Sequence, residues 1–278
     1  MPATPSYHLR IQPSKNFVGL NLMDLWRFRE LLAALVMRDI KLRYRQTVLG
    51  VTWVVLQPLL ASGILAFVFG TVAGITKPGR TSVFIFVLAG FTGWLLFSAT
   101  LSRAAQSLLQ HSALIAKVFF PRVILPAAAA LSVLLDVAVV LALFALLVLL
   151  SGIPIGWEIV TVPVWFSLLW MLSFGLGLFS AALSVRFRDV QHISPFFVQI
   201  LFYASPIAYQ TASVPARWRG LFLLNPLAPL FEGLRWSLLR EGQFHLGGTL
   251  YALGMSVLVF VLGLMFFRNT EREFPDLI

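Results

Sequence analysis

The sequence predicts an all-α integral membrane protein with six transmembrane helices. An N-terminal amphipathic interface helix, a short helix in a cytoplasmic loop and broken, re-entrant helices on the outer side complete the expectation. Three observations carry it. The 278 residues are 59% hydrophobic and only 12% charged, about half the charged share of roughly 25% in a soluble domain. Six apolar runs are near the roughly 20 residues a helical span needs. Lysine and arginine are distributed unevenly between alternate loops, which sets orientation.

The runs fall near 51–73, 83–105, 123–150, 161–184, 193–211 and 248–267. Residues 1–50 then form a cytoplasmic N-terminal segment and 268–278 a cytoplasmic tail. The first segment lacks the apolar core and cleavage site of a signal peptide. It carries Arg10, Lys15, Arg27, Arg29, Arg38, Lys41, Arg43 and Arg45 instead. With both termini inside, fifteen basic residues are cytoplasmic and six are outside, accounting for all 21. The net charge of +10 is read as this inside bias and not as a nucleic-acid footprint. With no cysteine and four scattered histidines, neither a disulfide framework nor a metal site is expected.

Ahead of the first span, LMDLWRFRELLAALVMRD places Leu25, Phe28, Leu32, Leu35 and Val36 on one face. Asp24, Arg27, Glu30 and Arg38 fall on the opposite one. That period marks an amphipathic helix, expected to lie in the inner interface either as a plain anchor or as one that also meets a cytoplasmic partner. In the first span Gln57 and Pro58 interrupt the apolar run. Proline frees a carbonyl and a buried glutamine needs a partner, so this span is expected to face protein or a pathway as well as lipid.

Between spans one and two, GITKPGRTS, Gly74 to Ser82, imitates a phosphate-binding loop with arginine in the lysine position. It lies on the outer face, and Pro78 lacks the N–H that a phosphate cradle uses. A tight turn is the better reading, and no nucleotide site of the chain's own is expected.

The loop SLLQHSALIAKVFFPR, Ser107 to Arg122, is too apolar for a solvated loop and too short to span. A short helix ended by Pro121 would offer Leu114, Ile115, Val118 and Phe119 either to the span ends or to a soluble protein. Two half-length apolar pieces meet at Asn225–Pro226, expected either as a re-entrant hairpin or as a helix flat on the outer face. Gly70 and Gly74 form one small-residue pair. Asp136 is the sole acid well inside a span, a functional candidate by default. No relay of carboxylates accompanies it, which favours a structural hydrogen bond between helices. Trp53, Trp94, Phe197, Phe202 and Tyr203 are the aromatic candidates to line a route for a substrate with apolar faces, such as a sugar ring.

These stretches together resemble a known family. They are RELLAALVMRDIKLRYRQTVLGVTWVVLQPLL, HSALIAKVFFPRVILP, SVRFRDV, SPFFVQILFYASPIAYQ, LNPLAPLFEGLRW and FRNTEREFPDLI. The chain is similar to the membrane permease of type-2 ATP-binding-cassette exporters. It most resembles the branch that exports lipid-linked polysaccharides such as O-antigen, capsule or teichoic acid in bacteria. The resemblance implies a homodimer in the bacterial inner membrane with two soluble ATP-binding subunits. ATP and Mg would be bound by those partners, and this chain would be no enzyme. The segment matching Ser107, Leu108, Gln110, His111, Leu114, Ile115, Lys117 and Val118 is the family's coupling helix, which enters a cleft on the ATPase. The interface helix, with Trp26, Arg27, Glu30 and Arg38, flanks it. The re-entrant helices would cap the exit of a channel between the two copies, taking an undecaprenyl-type lipid-linked glycan. Arg43 and Arg45 are either candidates for the carrier's head group or an inside anchor. A secondary carrier would show intramembrane charge pairs or inverted repeats, and a membrane enzyme clustered polar groups at one face. Neither pattern is evident.

Overall fold

The computed structural model describes residues 26–44, 51–75, 79, 81–117, 120–242 and 244–274. Arg45, Val118, Phe119, Pro78, residues 22–25 of the expected amphipathic helix and the side chain of Lys117 lie outside that description. Every regular element among the described residues is a helix, and none is a strand.

The amphipathic pattern forms α1, Arg29–Tyr44. It packs Leu35, with Phe28, Leu31, Leu32 and Val36, onto one of the apolar cores, which is the face the periodicity marks. Helix α2, Val51–Ala66, carries Pro58 inside it and ends in a π-helical turn, Phe67–Val72. Pro58 is buried and Gln57 is exposed, so within one chain the glutamine is not enclosed as expected. In the loop that follows, Gly74 adopts φ 63° with open space around its Cα. It serves the turn, while Gly70 packs on Val83. At Thr81 the backbone N–H donates to the Glu241 carboxylate at 2.9 Å. A protein carboxylate thus occupies a donor that a phosphate loop would offer to its ligand.

Ser82 caps α3, Val83–Gln110, by accepting from the Ile85 N–H at 3.3 Å, as an N-cap does. A six-residue helix α4, Ser112–Lys117, follows. Then come α5, Ile124–Leu150, a 3-10 turn at Trp157–Thr161, and α6, Val162–Arg186. Helix α7, Val190–Tyr203, precedes the short pair α8, Ala216–Leu223, and α9, Leu227–Leu239, which meet at Asn225–Pro226. Helix α10, Leu246–Thr270, closes the chain.

Helices α3 and α6 are the centre. They pack on each other, α5 covers α3 and α10 covers α6. Close approach of α6 and α10 rests on Gly175 and Gly263. A Cβ on Gly263 would stand 2.2 Å from the Gly175 carbonyl oxygen, the small-residue contact that membrane helices use. Helix α2 is peripheral: only 11% of its apolar window is buried within the chain.

Among the described residues five segments are long and apolar enough to cross a membrane: Thr52–Val72, Val83–Gln110, Ile124–Leu150, Trp157–Arg186 and Leu246–Thr270. The expected span at 193–211 differs. Helix α7 has 14 residues, about 21 Å, which is short of a hydrocarbon core of about 30 Å. Pro206 lacks an N–H and pushes Ser205 out of helical geometry. The chain breaks there, and Ile207 N–H bonds back to Ser205 O at 2.8 Å. The buried guanidinium of Arg235, from α9, holds the break by donating to Pro206 O at 2.6 Å and Tyr209 O at 3.1 Å.

Candidate functional site

Two junctions join α1 to the spanning helices, and both are built from charged side chains. At the first, Arg38 lies beside Asp39, 2.9 Å away, and donates to His111 Nε2. His111 caps the end of α3 and donates from Nδ1 to Ser107 O at 2.7 Å. That bond leaves the Nε2 lone pair for Arg38. The interface helix is thereby tied to the hinge between α3 and α4.

At the second junction a single carboxylate gathers three donors. Asp136 is 5% exposed and lies twelve residues, roughly 18 Å, into α5. Its Oδ2 accepts from Arg43 and, at 2.7 Å, from Arg103. Its Oδ1 accepts from the Tyr44 hydroxyl at 2.6 Å. Arg43 also reaches Ser132 Oγ at 3.4 Å. Burial, with the hydrogen bond to Asp136, pushes the Tyr44 phenol up to about 12, so it stays a donor. An interhelical role for Asp136 is what its isolation in the sequence indicated, and the partners are now named. Three helices meet here: α1, α3 and α5. The basic end of α1 therefore reaches the middle of a spanning helix, which differs from an anchor lying flat in the interface.

Arg103, Tyr44 and Ser132 were not among the expected site residues. One signal pointed to Arg103. A buried acid in a span needs an opposite charge, and Arg103 is the basic residue nearest the apolar stretch of α3.

Between the two junctions lies an open cleft of about 570 Å³ lined by Arg38, Asp39, Leu42, Arg43, Arg103, Gln110, His111, Ala129 and Ser132. Arg38 and Arg43 thus belong to one surface.

The expected coupling segment divides. Ser107 and Leu108 are 0% exposed and belong to the last turns of α3, so they cannot touch a soluble partner. Their place is set by α3 continuing to Gln110, past the expected end of the span at residue 105. Ile115 is also buried, with Leu114 packed beside it. These two apolar residues fill the core formed by the span ends. Among the described side chains of the segment Gln110 and Ala113 are exposed, as is Gln106 just before it. On α1 and just before it, Trp26, Arg27 and Glu30 are exposed, and the Arg29 guanidinium sits 5.2 Å over the Trp26 ring.

The aromatic candidates also divide. Trp94 is buried in the main core, in edge contact with Phe202 at 5.3 Å and beside Phe97 at 5.6 Å. It is a packing residue and lines nothing in this chain. Phe202 is half-buried and meets Tyr203 edge-on at 5.3 Å. Trp53, Phe197 and Tyr203 are exposed on α2 and α7. Among the described residues no three His, Cys, Asp or Glu side chains converge on a common point.

A model of the ABC-2 type transporter family matches residues 30–239. The chain is 30% identical over 260 residues to the O-antigen export system permease protein RfbA of Myxococcus xanthus, covering 92% of this chain and 98% of that one. It is 25% identical over 259 residues to an O-antigen export system permease protein RfbA of Klebsiella pneumoniae, covering 90% and 95%. It is 28% identical over 246 residues to the polysialic acid transport protein KpsM of Escherichia coli, covering 86% and 93%.

Proposed function

Because the chain belongs to the ABC-2 type transporter family, we infer that it is the membrane-spanning permease subunit of an ATP-binding-cassette exporter that moves polysaccharide. The observation that carries this reading is the similarity, over most of both chains, to proteins named for O-antigen export and polysialic acid transport. As a transport subunit it is not itself the enzyme, and the ATP and Mg belong to a separate soluble partner.

The finer reading is a homodimer in the bacterial inner membrane, with two ATP-binding subunits and a lipid-linked glycan as cargo. The poorly buried α2 supports a second copy. It exposes Trp53, Gln57, Leu60 and Ile64, and a polar glutamine on such a face suits a protein or water neighbour better than lipid. The exposed aromatics Trp53, Phe197 and Tyr203 then face the space between copies, where sugar rings would slide over ring faces.

ATP binding would draw the partner subunits together and push on Gln106, Gln110 and Ala113. Helix α3 is continuous from Gln110 to Val83, so displacement at its inner end reaches the central packing with α6. The Arg38–His111 bond would pass the same movement to α1, and Asp136 would pass it from α1 to α5.

The test is purification in mild detergent from the native membrane, with co-purifying proteins identified and ATP hydrolysis assayed. A stoichiometric soluble ATPase whose rate changes when Gln110 and Ala113 are replaced supports the reading. If cross-linking in intact membranes also captures no ATPase, the reading falls.

A further inference from the structure

We propose that Glu271 is a positioning residue for transport: paired with Arg122, it joins the far end of the docking segment to α10 and delivers the ATPase stroke to that last spanning helix. This rests on the reading of the chain as an exporter permease driven by a separate ATPase. It extends that reading to a helix that the route through α3, α1 and α5 leaves out.

Four observations carry it. First, the two residues hold each other twice. The Arg122 backbone N–H donates to Glu271 Oε1 at 2.6 Å, and the Arg122 guanidinium donates to the Glu271 carbonyl. Each bond has main chain on one side, across 149 residues of sequence. Displacement of one backbone therefore reaches the other through a closed pair of bonds. Second, the charges lie at helix ends of the matching sign. Arg122 belongs to the turn that leads into α5, where Pro121 O accepts from the Ile124 N–H at 3.1 Å. Val123, at the N-cap of α5, makes no side-chain cap, and the Glu271 carboxylate takes up a donor at that end. The guanidinium meets the carbonyl end of α10. A helix favours an anion at its start and a cation at its end. Third, apolar contacts seat the pair. Phe267 and Phe274 meet edge-on at 5.4 Å and share one core with Ile115, Phe120, Val123 and Ile124. Fourth, α10 has a stiff output. A Cβ on Gly263 would stand 2.2 Å from Gly175 O of α6, so these two backbones are in direct contact.

The docking segment is thus held at both ends. His111 ties its start to α1 through Arg38, and Arg122 ties its exit to α10. Without the Arg122–Glu271 pair, a push on the exposed Gln110 and Ala113 lets the exit slide past the end of α10, and the movement dissipates inside the loop. With the pair in place α10 moves too, and its glycine contact hands the displacement to α6 in the central packing.

The experiment uses the full-length permease with its co-purified ATPase. Surface polysaccharide is measured in cells, and ATP hydrolysis on the complex in lipid nanodiscs, both per folded complex. Glu271→Ala should keep the ATPase bound with its KM for ATP, and polysaccharide exported relative to ATP hydrolysed should fall several-fold, as loss of a coupling contact does. Glu271→Gln keeps an oxygen for the Arg122 N–H and should retain most of the export. Arg122→Ala keeps that N–H and loses the guanidinium bond, so an intermediate loss is expected, and this variant decides the matter if Glu271→Ala misfolds. A second readout follows α10 itself. The chain has no cysteine, so Leu258→Cys, exposed on α10, carries a single environment-sensitive fluorophore on this chain. ATP should change its emission, and Glu271→Ala or Arg122→Ala should diminish that change. A merely structural role lowers the yield of folded complex and leaves the export ratio and the ATP response unchanged, and that result overturns the proposal. A probe on α10 that never responds to ATP overturns it too. If the ATPase co-purifies and the ratio does not move, this inference alone fails. If no ATPase accompanies the chain, the exporter reading fails.

Discussion

The Arg235 guanidinium lies over the face of Phe86, its central carbon 4.5 Å from the ring centroid. Arg235 is fully buried, among the largest enclosed side chains of the protein. A flat cation stacks on an aromatic face and still projects its N–H groups sideways, here to the carbonyls of Pro206 and Tyr209. The end of α7 is therefore pinned to α9 by one residue that a rounder cation cannot replace. Arg235→Lys should lose the fork and much of the stacking, costing about 2–3 kcal/mol. Arg235→Ala should cost about 3–5 kcal/mol, since two buried carbonyls and the charges around them are left unmatched. Thermal unfolding in nanodiscs reads both, and a lysine variant as stable as wild type would contradict the assignment.

His111 joins α1 to the hinge of α3 and α4 through one accepted and one donated hydrogen bond. His111→Phe roughly keeps the ring volume and removes both bonds, worth about 1.5–3 kcal/mol for the one to charged Arg38 and about 0.5–1.5 kcal/mol for the neutral one to Ser107 O. The protein should still fold, because the apolar packing of α1 is untouched. Polysaccharide export per ATP hydrolysed should fall several-fold. An unchanged ratio of transport to hydrolysis would mean that the link carries no movement.

Gly175 and Gly263 set the distance between α6 and α10. A methyl group at Gly263 meets a backbone oxygen, which cannot swing away as a side chain does. Gly263→Ala should cost about 1–3 kcal/mol through overpacking and lower the yield of folded protein. Gly254→Ala is the control on the same helix, since its added Cβ meets nothing within 4 Å. Alanine is the better helix former, so Gly254→Ala should be neutral or slightly stabilising, and a Gly263→Ala variant as stable as this control would contradict the packing assignment.

The short segment after α3 separates surface from core. Ala113 is exposed and Ile115 is buried. Ala113→Trp should block association with the ATPase and leave the melting temperature of the isolated permease within a degree or two, as surface substitutions do. Ile115→Ala should instead destabilise the permease by about 2–4 kcal/mol. Co-purification and unfolding measured on both variants check this, and the reverse pattern would place the docking face on the other side of the helix.

Much of the architecture was legible in the residues. Apolar runs mark spanning helices because lipid offers no hydrogen bonds to an open backbone. Five of the six expected runs became long helices within a few residues of the expected bounds. The same physics made Pro206 visible as an interruption in the run at 193–211. It did not reveal that the helix would stop at Tyr203, nor that Arg235, far along the chain, would donate to the Pro206 and Tyr209 carbonyls beyond the break.

The sequence by itself determined the class of the protein, the amphipathic face of α1 and the isolation of Asp136 among apolar residues, since each follows from local spacing of residue types. Only the tertiary structure decided the rest. Arg43 and Arg103 meet on Asp136 across 93 and 33 residues of chain, Trp94 turns into the core, and Ser107, Leu108 and Ile115 are buried where a docking surface was expected. The physical reason is common to all three. Periodicity tells which residues share a face of one helix, but the partner of that face is chosen by how helices distant in sequence pack, and a buried charge must take its counter-charge from whichever helix that packing brings near.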